Sequence, residues 1–257
     1  MINITSSRND TYKIIHKIAS SASQRRKNNL YVVEGEKIVR EAIMSSQGVV
    51  KIVVNNVGLE LIDDLNISKD IEVVLLDDEL FETVSDTVSS QGIIALMKIK
   101  DYSITQINFN KVLIIDRVQD PGNVGTLIRS ADAFAFDLII SLKGSCDIYN
   151  PKVVRATMGS VFHLPIVKDL TNKETLNILN NKKTTIYSTN LSHKAISIGE
   201  VNVKHPFAIV IGNESKGVSS FWIEAADSNV IIPISGNAES LNAAVAGSII
   251  MYQFSCM

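Results

Sequence analysis

Short apolar runs rich in β-branched residues alternate along this chain with segments whose apolar residues recur every three or four positions. That alternation restricts the fold more than any other feature of the sequence. From residue 111 onward the extended candidates are KVLIID (Lys111–Asp116), 137–141, 163–167, Thr185–Thr189, 206–212 and 230–234. Helical patterns fall between them and after the last. Strands alternating with helices imply a mainly parallel sheet covered on both faces, since each parallel crossover lays a helix on the sheet. Ligands of such sheets bind in loops beyond the carboxyl ends of the strands.

The first hundred residues alternate too. Tyr12, Ile15, Ile18 and Ala22 recur at helical spacing, and residues 30–33 look extended. Residues 36–45 read as a helix with Ile38, Val39, Ala42 and Ile43 on one side. Strand patterns follow at Val49–Val54, 71–76 and 92–99, and Asp77 is placed to cap a helix running through residue 87. A polar stretch at 100–110 separates this α/β unit from KVLIID. The expected organisation is therefore a domain at 1–104 followed by a larger one at 105–257.

Several function classes lose ground at once. The two cysteines, Cys146 and Cys256, and the four histidines (His16, His163, His193, His205) form no disulfide or zinc pattern, which fits a reducing cytosol. The N-terminus is polar and shows no signal-peptide pattern. The most apolar stretch, 241–254, is shorter than the roughly 20 residues that a bilayer needs. The expectation is a cytoplasmic protein with neither membrane role nor metal. Net charge is −2, but residues 1–40 carry eight basic and three acidic residues, leaving −7 for the remainder. A basic patch on an acidic body can hold phosphates, although a solvated helix face explains the same charges.

Three loops carry the chemistry. After KVLIID comes Arg117-Val118-Gln119-Asp120-Pro121-Gly122-Asn123-Val124-Gly125. Here Pro121-Gly122 should turn, Asn123 can cap the next helix and Gly125 permits close approach. Val124, Leu127, Ile128, Ala131 and Ala135 should form the buried stripe of that helix. Arg129 shares the opposite side with Thr126 and Ala133, either reaching into the crevice or lying on the surface. The second loop, Gly212-Asn213-Glu214-Ser215-Lys216-Gly217, brackets polar residues and one carboxylate between glycines. It suits gripping an adenosine, but equally an ordinary strand-to-helix turn. The third runs from Ser235 to Asn242 and enters a helix of small residues, with Ser240 or Glu239 as its cap and Asn242 in its first turn. That helix is apolar nearly all round, so it belongs in a core or an interface. G-x-G-x-x-G and P-loop patterns are both lacking, which disfavours a dehydrogenase and the usual nucleotide chemistries.

Together these loops resemble the three motifs of the SpoU (TrmH-type) RNA 2′-O-ribose methyltransferases, a branch of the SPOUT superfamily. The matching stretches are DRVQDPGNVGTLIRSADAFAFD (116–137), FAIVIGNESKGV (207–218) and IIPISGNAESLNAAVAGSI (231–249). NPKVVRATMGSVFHLPIV (150–167) looks like the segment between motifs. YVVEGEKIVREAI (31–43) and QGIIAL (91–96) are similar to the substrate-binding domain that often precedes the catalytic one. The resemblance spans nearly the whole chain.

It implies a trefoil-knotted catalytic domain, a homodimer, S-adenosylmethionine bound in the knotted loops, and RNA as substrate. Nothing in composition or periodicity indicates a knot, and connection rules argue against one. By position the resemblance makes Asn123, Arg129, Glu214, Ser240 and Asn242 the polar catalytic set, with Gly212, Ile232 and Leu241 bordering the methyl donor. Arg155 would bind RNA phosphate or complete the partner's site. A guanidinium rarely deprotonates, so Arg129 suits an electrostatic clamp on the ribose and its phosphate better than a base, leaving Glu214 or water to accept the proton. The N-terminal domain favours ribosomal RNA over transfer RNA. A non-catalytic assembly factor would show degraded loops, and here all five polar residues are present.

Overall fold

The computed structural model describes residues 1–45, 48–191 and 195–256. Its contacts divide the chain into two units: Met1–Lys100 with Tyr149–Phe162, and Asp101–Ile148 with His163–Met257.

Unit 1 runs β1 (Ile2–Ile4), α1 (Asp10–Ser20), α2 (Ala22–Asn28), β2 (Leu30–Glu34), α3 (Glu36–Met44), β3 (Val49–Val54), β4 (Glu72–Leu76), α4 (Asp78–Glu82) and β5 (Ile93–Lys98). The strands lie in the order β1-β4-β3-β5-β2, with β5 antiparallel to both its neighbours. α1 forms where expected but ends at Ser20; Ala22, read in the same helical pattern, opens α2 after an extended Ser21. Asn9 accepts from the Thr11 and Tyr12 amides at the start of α1, and Tyr12, Ile15 and Ile18 enter a core with Val53, Val74 and Phe81. Two further expectations need correction. Arg25, counted in the basic stretch, is 3% exposed and donates to the Ile18 and Ala19 carbonyls, so it offers no surface charge. The helix expected through residue 87 stops at Glu82, because the chain beyond it is drawn to the Glu34 carboxylate. Ser85, Thr87 and Ser90 hydroxyls and the Asp86 amide all donate to that one group.

Unit 2 begins with β6 (Lys111–Asp116), α5 (Pro121–Ala133) and β7 (Leu138–Leu142). The chain then contributes α6 (Pro151–Thr157) to unit 1, where α6 packs on β2 and the Tyr149 ring meets that of Tyr31 at a tilt, 4.6 Å between ring centres. Back in unit 2 follow β8 (Ile166–Leu170), α7 (Asn172–Asn181), β9 (Thr185–Thr189), β10 (Ile196–Ser197), β11 (Phe207–Gly212), α8 (Ser220–Ala225), β12 (Ser228–Ile231) and α9 (Ala243–Ser255). Among the described residues seven strands line up as β10-β12-β9-β11-β6-β7-β8, and every pairing is parallel. The central strands β6, β7 and β11 are buried along almost their whole length, as their unbroken apolar runs require. Tyr102, Ile104 and Ile107 from the polar stretch pack against this core.

Prolines account for two shifted strands. The strand expected at 163–167 starts only at Ile166, after Pro165, whose carbonyl accepts the Ile139 amide at 3.0 Å. The one expected at 230–234 runs from Ser228 to Ile231 and ends ahead of Pro233, which has no N–H to give. Ala135 is not part of the α5 stripe: it lies beyond the helix end, exposed, at φ +53°. α9 buries Ala244, Gly247, Ile250, Met251 and Phe254 but leaves Val245, Ile249 and Tyr252 exposed along one side. No helix of the described residues is long and apolar enough to cross a membrane.

Candidate active site

The first loop is anchored at the end of β6. Asp116, 1% exposed, accepts from Arg117 Nε at 3.1 Å and from the Ser219 amide at 2.7 Å. α5 then starts at Pro121, with Asp120 as its cap, accepting from the Asn123 amide at 2.8 Å. Asn123 is therefore not the cap, and Pro121-Gly122 lie within the first helical turn. Proline fits that position because its missing N–H would have had no partner there. Freed from capping, the buried Asn123 side chain reaches across to the other two loops.

The second loop closes on itself. Asn213 and Gly217 exchange backbone hydrogen bonds at 3.0 and 2.9 Å, with Gly217 at φ +67°. Asn213 Oδ1 accepts from the Ser215 and Lys216 amides, and its Nδ2 donates to the Arg117 carbonyl at 2.9 Å. Gly212 leaves no room for a side chain, since a Cβ there would sit 2.1 Å from the Val218 nitrogen. This clasp presents Glu214 to the first loop. One carboxylate oxygen accepts from the Asp120 amide at 3.0 Å and Asn123 Nδ2 at 2.9 Å; the other accepts from the Gln119 amide at 3.2 Å and Asn213 Nδ2 at 3.3 Å. Partial burial pushes the Glu214 pKa upward. Donation from Asn123 and from backbone amides outweighs it and holds the group below its usual value.

The third loop joins the same network. Asn242, rather than Ser240 or Glu239, caps α9, accepting from the Ala244 and Val245 amides at 2.9 and 3.2 Å. Its Nδ2 donates to Asn123 Oδ1 at 2.9 Å. Glu214, Asn123 and Asn242 thus form one chain of hydrogen bonds through all three loops.

Beside it lies a cavity of about 350 Å³ at the carboxyl ends of β9, β11 and β12. Gly212, Glu214, Ile232, Ser240 and Leu241 line it, as do Ile211 and Ile250. Sequence reasoning missed the far wall, Thr189-Asn190-Leu191, although a loop at the end of a parallel strand was the signal to follow. It also missed Asn213, whose role depends on contacts that spacing does not reveal. Arg129 stands apart: it is exposed on α5 with Thr126 and Ala133, does not line the cavity, and has no hydrogen bond or ion pair among the described residues. Arg155 lies in unit 1, where it pairs with Asp86 at 2.8 Å.

A parallel sheet whose carboxyl-end loops wall a small-molecule cavity is common to many α/β ligand-binding proteins; the three loops tied together here and the relatives of the chain make it a methyltransferase of the SPOUT class. The chain belongs to the SpoU rRNA methylase family, whose model matches residues 110–252. Residues 9–95 match the MRM3-like substrate binding domain. Among its relatives, the 23S rRNA (guanosine(2553)-2′-O)-methyltransferase RlmP of Bacillus subtilis is 34% identical over 252 residues, covering 98% of each chain. A 23S rRNA (uridine(2479)-2′-O)-methyltransferase of Streptomyces viridochromogenes is 34% identical over 146 residues, covering 55% of this chain and 50% of that one. The crystal structure of an AdoMet-bound rRNA methyltransferase from Sinorhizobium meliloti superposes with a TM-score of 0.87 at 25% identity, covering 98% of this chain and 96% of that one.

Proposed function

We propose that this protein transfers the methyl group of S-adenosylmethionine to a ribose 2′-hydroxyl of ribosomal RNA. The observation that carries the reading is the Glu214–Asn123–Asn242 chain of hydrogen bonds, which ties three loops into one preorganised wall beside the cavity. The cavity suits this donor. Ile211, Ile232 and Leu241 offer apolar surface to an adenosine, Gly212 lets backbone come close, and the volume lies at the lower end of small-molecule sites, about 300–1,000 Å³. When bound, the donor supplies an electrophilic methyl group.

The protein's own residues do the rest. Ser240 and the 213–217 clasp hold the polar parts of the donor, while Asn123 and Asn242 keep the loops in register. Arg129, unengaged and exposed, is available to hold the ribose and its phosphate in line with the methyl group, and orientation of this kind can supply much of the acceleration. Residues 105–257 carry the transfer and residues 1–104 hold the RNA. Two copies pair through the exposed stripe Val245, Ile249 and Tyr252, an apolar face unusual on a lone surface helix. The setting is the cytoplasm.

Incubating the protein with labelled S-adenosylmethionine and unmodified 23S or transfer RNA tests the reading. Label should enter 23S RNA at a single ribose. Incorporation only into transfer RNA would replace the substrate, and none into either would remove the reaction.

A further inference from the structure

Unit 1 holds a cavity of about 280 Å³ that shares no residue with the three loops. Its walls are the end of β2, the first two turns of α3, the loop before β5, and the end of α6. The construction is firm. The loop is pinned by the four donors that converge on Glu34. Gln91 Oε1 accepts the Glu36 amide at 2.9 Å, which leaves its amide nitrogen without a protein partner among the described residues. One guanidinium nitrogen of Arg155 is fixed by Asp86, and its remaining N–H groups stay available. Met158, at φ +51°, is 46% exposed at the edge.

The charges of the lining decide what fits. Lys37 and Arg155 are balanced by Glu34 and Glu41, so the interior is no sink for a phosphate. It offers instead apolar surface from Ile38 and Met158, with an amide and hydroxyls at the side. That combination matches the flat face and hydrogen-bonding edge of a nucleobase, and sequence-selective RNA recognition works mainly on such unstacked bases. The volume is ample for a single base. Lys37 is exposed at the mouth, where the phosphate of that nucleotide would stay in water.

We propose that this cavity receives one unpaired base of the RNA substrate and contributes to the choice of target. The inference rests on the ribosomal-RNA reading above. It adds that α6, which lies in the chain between two strands of the methyltransferase sheet, supplies part of the recognition.

Ser89 lines the cavity from an exposed loop, so Ser89→Phe fills it without touching the core, while Val88→Phe places the same ring on a fully exposed neighbour outside the lining. With 23S RNA transcripts and labelled S-adenosylmethionine, Ser89→Phe should raise the KM for RNA about tenfold or more, the loss typical of one base contact. The kcat, donor affinity and melting temperature should stay as in the wild type, and Val88→Phe should change nothing. An unchanged KM in a folded Ser89→Phe protein overturns the proposal. Should that variant fold poorly, wild type crosslinked to 4-thiouridine transcripts gives the answer: crosslinks to the peptides holding Lys37 or Met158 support it, and crosslinks confined to other peptides overturn it. A wild type that methylates no RNA would remove the reaction itself, and this inference with it. A wild type that methylates 23S RNA while Ser89→Phe does so equally well removes this inference alone.

Discussion

Replacing Gly212 with alanine adds a single methyl group, and the structure says where it must go. A Cβ at that position would lie 2.1 Å from the Val218 nitrogen, 2.3 Å from the Gly217 carbonyl carbon and 2.5 Å from its oxygen. All three are backbone atoms, so no side chain can swing aside. Restoring even a tight 3.0 Å contact moves the 217–218 peptide by about 1 Å, as overpacking in a close-packed interior generally does. That peptide closes the clasp through the Asn213–Gly217 bonds, and the clasp holds Glu214 and lines the cavity. Overpacking of this kind costs about 1–3 kcal/mol. In a chain of this size each kcal/mol lowers the melting temperature by about 2–4 °C, so Gly212→Ala should melt several degrees early. Because the displaced atoms wall the cavity, affinity for S-adenosylmethionine should fall at least tenfold. Gly236 is the control: it lies in the third loop, yet a Cβ there meets nothing within 4 Å. Scanning calorimetry and titration calorimetry on both variants check this. Wild-type donor affinity and melting temperature in Gly212→Ala would refute the geometry, and equal damage from Gly236→Ala would refute its use as an explanation.

Arg129→Ala should keep fold and donor binding, since the side chain is exposed and has no hydrogen-bond partner among the described residues, but lose about 10²–10³ in rate, the usual cost of one transition-state contact. Arg129→Lys should be nearly as poor, because an ammonium lacks the planar fork; near-normal turnover of either makes Arg129 a surface residue. Glu214→Gln should lose about 1–2 kcal/mol of stability, because its amide would turn a donor toward the Gln119 and Asn213 donors. The folded-state pKa of Glu214 is depressed, so its stabilisation is complete above the ordinary carboxylate value of 4.5 and is lost as pH falls through the lower folded value. Wild type should therefore lose stability in that acid window more steeply than Glu214→Gln, and identical acid melting curves would remove Glu214 as a tie. Deleting residues 1–104 should lower the melting temperature or cause aggregation, since Val153, Val154 and Phe162 are buried within unit 1; a soluble fragment melting like the full chain would refute this.

Much of the fold was legible because the central strands state their environment outright. KVLIID and FAIVIG carry short, β-branched apolar runs bounded by polar or glycine residues, the pattern of a strand buried on both faces. The misread elements failed where a local pattern competed with a distant partner. Residues 83–87 could continue a helix from Asp77, but Glu34, some fifty residues earlier, offers their hydroxyls and amide a carboxylate. α6 could be read as part of the methyltransferase half, and nothing in PKVVRAT reports that its apolar side meets β2. In the site, the three loops and their polar residues could be found from sequence, but the roles of the asparagines could not. Proline at the first helical position was the available clue that Asp120, not Asn123, caps α5. The bond from Asn123 to Glu214 spans 91 residues, and the one from Asn242 to Asn123 spans 119, beyond the reach of any local pattern.

The same bonds bear on where the 2′-hydroxyl proton goes. A general base works best when its pKa lies near the working pH and its lone pairs face the proton to be removed. Glu214 meets neither condition. Both its oxygens accept from two donors each, and those donors hold its pKa below the usual carboxylate range. Protonating it would break the contacts that join the second loop to the first, loosening the donor site at the moment of transfer. Arg129 is no better as an acceptor, since its guanidinium stays charged. In the proposed reaction the two are complementary: Glu214 ties the second loop to the first, and Arg129 would favour negative charge growing on the ribose oxygen. On that proposal the oxygen gives its proton to water as the bond to the methyl group forms, with neither Glu214 nor Arg129 acting as the base.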